Sequence, residues 1–110
     1  MKQLLVAATR VCTEDAVADA LLDYEFALAE HHRTERVIVP VFVNEGDTVC
    51  EFILGRGAIS GSLTLPNTAG RRIAGSSVAV SELRERARMV RDELFSPFED
   101  DWHAETSPDD

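Results

Sequence analysis

The sequence predicts an α+β fold: two helices packed on one face of a small antiparallel sheet of three to four strands, followed by a short C-terminal helix and an acidic tail. Three observations lead there. Apolar residues recur at helical spacing over 13–32 and again over 81–94. Between them, residues 36–65 carry apolar runs and alternation cut by turn residues. The ending "SPFEDDW" sets aromatic side chains four apart behind a capping signature.

Residues 2–8 fit a strand or an extra turn of helix, and the sequence leaves both open. Thr13 then offers an N-cap, with Glu14 and Asp15 in the first turn, where the helix dipole favours acids. Val17, Ala20, Leu21, Tyr24, Leu28 and His31 form one apolar stripe, so the helix should run to about His32. Residues 36–43 are apolar on both faces, and "NEGD" turns the chain into a strand over 48–54. Pro40 cannot donate to a ladder, which predicts an edge strand or a bulge there. After a turn at Arg56 and Gly57, residues Ile59, Gly61, Leu63 and Leu65 alternate with Ala58, Ser60, Ser62 and Thr64. That pattern suits an antiparallel strand with one wet face. "PNTAGRR" reads as loop, residues 77–80 as a short fourth strand, and Ser81 as the cap of the second helix. Leu83, Ala87, Val90 and Leu94 make that helix's narrow apolar seam.

Ser96, Pro97 and Glu99 complete a capping box, from which Phe98 and Trp102 fall on one face with Phe95 just ahead. Such a helix is too short to be stable alone and must dock. Residues 1–95 are therefore expected to form a single α+β domain, 96–104 an amphipathic docking helix, and 105–110 a disordered acidic tail.

At 110 residues, 45% hydrophobic and 28% charged, the chain can bury one core without metal or disulfides. The opening apolar run is too short for a signal peptide, and no run is long enough to span a membrane. The sequence reads as cytoplasmic, with Cys12 and Cys50 reduced and structural. The net charge of −9 is uneven: six acids and no Lys or Arg occupy 99–110, whereas six arginines meet only Glu82 and Glu85 between Arg71 and Arg91. A surface so mixed with acid argues against nucleic-acid binding and favours protein recognising protein.

No catalytic set, metal site or cofactor motif emerges. "GRRIAGSS" approximates a phosphate-binding loop but has Ser76 where lysine is required. What remains is a looser anion site made by Arg71, Arg72, Ser76 and Ser77, weakened if the helix starts only at Ser81. His31 and His32 are adjacent and point about 100° apart on a helix, so they cannot share a metal. His31 reads as a satisfied core or boundary histidine. On the second helix Arg84, Arg88 and Arg91 share one flank of the seam, with Glu82, Glu85, Asp92 and Glu93 on the other side. That flank, together with Phe95, Phe98 and Trp102, is the expected partner-binding surface. The sequence therefore points to a small cytoplasmic, non-enzymatic interaction module (an adaptor, chaperone or regulator), homodimeric, with a protein partner and no nucleic acid or membrane. The alternative is a small enzyme or ligand-binding domain that uses residues 71–77 for an anionic group.

Overall fold

Leu4 and Val11 face each other across the first hairpin, and both are buried. A computed structural model of the chain describes residues 1–44, 46–66, 68 and 70–94. Its strands are β1 (Lys2–Val6), β2 (Thr9–Thr13), β3 (Glu35–Val43), β4 (Gly46–Leu54) and β5 (Ile59–Thr64). The helices are α1 (Asp15–Glu30) and α2 (Ser76–Leu94). The strands form one antiparallel sheet in the order β4-β3-β2-β1-β5. The fold is α+β, as the sequence predicts, but with five strands and not three or four.

β1 settles the reading left open for residues 2–8 in favour of a strand, and β2 is the strand not expected. Their connection, Ala7-Ala8, carries no glycine or asparagine, although Ala7 takes a φ of 55°. A left-handed alanine costs about 1–2 kcal/mol, so this turn is imposed by the pairing of its strands and has no local signature. The expected strand over 77–80 is instead the first turn of α2. Two valines favour a strand locally. Ala79, however, lies on the same buried stripe as Leu83, Ala87 and Val90, so packing extends the helix backwards to Ser76. The expected docking helix and acidic tail lie outside the described residues.

Pro40 is neither on an edge strand nor at a bulge. β3 is an interior strand, and its register with β4 is unbroken from Glu35↔Leu54 to Val43↔Gly46. Successive residues of a strand direct their backbone polar groups to opposite sides. The Pro40 carbonyl accepts a hydrogen bond from Thr13 Oγ1 at 2.9 Å, so the missing N–H also faces β2 and not β4. β2 pairs with β3 only at Cys12↔Phe42. The proline therefore sits where no ladder bond is lost.

Thr13 ends β2, fully buried, and Glu14 takes the N-cap position of α1 in its place. The Glu14 side chain does not cap its own helix; its carboxylate accepts the Ile73 N–H of the loop before α2. One cluster holds the helices on the sheet: Val17, Leu21, Tyr24 and Leu28 of α1, Leu83 and Ala87 of α2, and Val37, Val39, Val41, Phe52 and Leu54 of the long hairpin. Only residues 55–58 join β4, at one end of the sheet, to β5 at the other. Four strand spacings span about 19 Å when flat, more than the roughly 17 Å such a link can bridge. The sheet therefore curls around α1, which touches both strands. Glu25 of α1 accepts the Gly57 N–H at 2.7 Å and pins the middle of this link.

Candidate functional site

Side chains alternate across a sheet, so the residues between the buried valines of β3 must point away from the helices. Ile38 does so at 62% exposure. On the neighbouring strand Val49 (64%) and Ile53 (60%) occupy the same outer face, diagonal to Ile38, while Glu51 stands directly across from it. Arg36 reaches diagonally to Glu51 at 3.1 Å. The β3–β4 hairpin thus presents three large apolar side chains with one cation and one anion among them. Leu5 and Leu63 are exposed on the same face of β1 and β5. Arg71, in the loop before α2, lies over the Phe42 ring at 4.0 Å. β4 is also a terminal strand of the sheet, with no strand paired to its outer edge among the described residues. The two-faced apolarity of residues 36–43 was visible in the sequence; the partnership of Ile38 with Val49 and Ile53 needs the register.

The flank of arginines on α2 is largely committed within the chain. Arg88 bonds both Glu85 and Asp92, which places those acids beside the arginine and not across the helix. The Arg88 guanidinium, by hydrogen bond and then by charge, holds the Glu85 carboxyl below the usual carboxylate range. Arg91 makes a two-pronged contact with Asp23 of α1, at 2.8 and 3.2 Å. Arg84 is exposed and has no ion-pair partner among the described residues. Phe95, Phe98 and Trp102 lie outside the described residues.

The arginines and serines of the loop before α2 do converge. A cleft of about 760 Å³ opens between the N-terminal ends of the two helices, lined by Arg71, Arg72, Ser76 and Ser77 on one side and by Glu14 and Asp15 on the other. Asp15 lies 3.0 Å from the Met1 amino group. A smaller cleft, about 200 Å³, separates α2 from the stretch of β3 that β2 does not reach.

His31 is half-buried at the C-cap of α1, a boundary position, and its Nε2 has no hydrogen-bond partner among the described residues. No group of three or more His, Cys, Asp or Glu side chains gathers among the described residues in a way that could hold a metal. Cys50, on the helix side of β4, has its thiol pKa pushed up by burial and then by the Glu51 charge. No helix among the described residues is long and apolar enough to cross a membrane. No protein-family model, curated protein or solved structure matches this chain.

Proposed function

We propose that the protein is a non-enzymatic interaction module of the cytoplasm that pairs with a second copy of itself through the outer face of its β3–β4 hairpin. The observation that carries this reading is the exposure of Ile38, Val49 and Ile53 side by side on that face. Contiguous exposed apolar patches rimmed by polar groups mark interaction surfaces, and an uncovered one is an aggregation liability. A second copy suits the patch because a two-fold interface must be self-complementary. Arg36 and Glu51 supply both signs of charge within one face, so each could meet its opposite across a two-fold axis. Adaptor, chaperone or regulatory work on a further protein partner would then fall to surfaces left open by the dimer, exposed Arg84 among them.

Sedimentation at micromolar concentration tests the pairing. The expected mass is twice the chain's 12.1 kDa, falling to the single-chain value for Ile38→Glu and for Ile53→Glu, with the circular dichroism of both unchanged. A monomeric parent protein, or a dimer indifferent to both substitutions, would refute it.

A further inference from the structure

The cleft at the N-terminus of α2 has the makings of a ligand site, and we propose that it binds a small phosphate monoester whose anionic group sits among Ser76, Ser77, Arg71 and Arg72. This is independent of pairing through the outer sheet face.

Helix start is the first observation. α2 begins at Ser76 and runs for 19 residues, so "GRRIAGSS" leads straight into a helix N-terminus. Gly70 and Gly75 take φ values of 85° and 86°, which shape the loop ahead of it. Within the first turn the Ser76 N–H bonds the Ile73 carbonyl, and Ala79 N–H bonds the Gly75 carbonyl. The N–H groups of Ser77 and Val78 have no partner among the described residues. No acidic side chain occupies this turn. The first turn of α2 thus sets no acid of its own against the positive end of the helix dipole, an arrangement that favours an anion.

Ser76 is the second, independent observation. It lines the cleft at only 6% exposure, and its Oγ has no hydrogen-bond partner among the described residues. Buried hydroxyls are nearly always bonded, so an orphan at this place calls for an acceptor or donor that the described residues do not supply. A phosphate oxygen would supply it.

Charge completes the case. Arg71 and Arg72 line the same cleft, and neither has a carboxylate partner among the described residues. Arg71 is oriented by stacking on Phe42, and Arg72 by donating to the Arg71 carbonyl at 3.3 Å. The acids on the facing wall are already occupied: Glu14 accepts the Ile73 N–H, and Asp15 is paired with the Met1 amino group. They therefore compete little for the guanidinium forks, which match phosphate oxygens. At about 760 Å³ the cleft exceeds what inorganic phosphate fills and lies in the range of small-molecule sites. Ala16, Ile73 and Val80 give it an apolar portion for the organic part of an ester. The absence of a lysine at position 76 separates it from nucleoside triphosphate loops.

Calorimetric titration of the full chain with inorganic phosphate and with glucose 6-phosphate, at matched ionic strength in chloride, tests the proposal. The ester should bind saturably and more tightly than inorganic phosphate. Arg72→Ala should weaken it about tenfold or more, the worth of one charge-assisted contact. Ser76→Ala removes an unpartnered hydroxyl and should fold at least as well as the parent, yet it too should weaken the ester. Arg84→Ala, remote from the cleft, should change nothing. Absence of saturable heat with either probe would overturn the proposal, as would equal binding by parent, Arg72→Ala and Ser76→Ala proteins.

Discussion

Replacing Thr13 with valine tests how the two hairpins of the sheet are joined. β2 and β3 share a single pair in register, Cys12↔Phe42, so the side-chain bond from Thr13 Oγ1 to the Pro40 carbonyl carries much of their junction. Thr13 is wholly buried, and Pro40 offers no N–H with which a neighbour could compensate. Valine keeps the shape and apolar contacts of threonine but leaves that carbonyl without its donor. An unsatisfied buried acceptor costs about 1–3 kcal/mol; because Pro40 is only half-buried, about 1–2 kcal/mol is expected. At roughly 4–8 °C per kcal/mol for a domain of this size, thermal unfolding should show the loss plainly. Thr13→Ser keeps the hydroxyl and gives up one methyl, about 0.8 kcal/mol. Urea unfolding of the three proteins should therefore rank them parent, serine, valine. If Thr13→Val matches or exceeds the parent, the bond is not what ties the hairpins together, and Pro40 is tolerated for another reason.

Two further outcomes follow from particular geometries. At Gly55, with φ of 108°, a Cβ would lie 2.0 Å from the Arg33 carbonyl oxygen, so Gly55→Ala should destabilise by at least about 2 kcal/mol. Gly57→Ala, where φ is 74° but the space is open, should cost only about 1 kcal/mol, and similar urea midpoints for the two would contradict this. Tyr24, the single tyrosine, has its phenol pKa raised by burial and then by the Glu35 charge, with Arg86 and Arg33 opposing. Its stabilising contribution is full below the ordinary phenol value of about 10 and is lost as pH rises through the raised one. Phenolate absorbance should thus appear later than in free tyrosine; ionisation at the ordinary pH with native circular dichroism would refute it.

The helical stripes of α1 and α2, the β3–β4 hairpin and β5 were legible because each carries its own period, and period is a local property. Val17, Leu21, Tyr24 and Leu28 meet the core wherever the rest of the chain goes. Asn44 takes a left-handed φ of 52° in the turn that "NEGD" announces. The α+β class followed from these elements alone.

What escaped the sequence depends on partners distant along the chain. Nothing in Ala7-Ala8 announces a turn; the hairpin exists because Leu4 and Val11 are buried together and β5 closes on β1. Residues 77–80 look like strand until Ala79 is seen on the buried stripe of α2, and that shift of the helix start brings Ser76 and Ser77 to a helix N-terminus. Glu14 seemed a first-turn acid but serves a backbone N–H fifty-nine residues away. The sequence by itself determined which segments have an apolar face and of which period. Tertiary structure decided which faces found cover, because burial is settled between elements, and so it left Ile38, Val49 and Ile53 exposed and the Ser76 hydroxyl buried without a partner among the described residues.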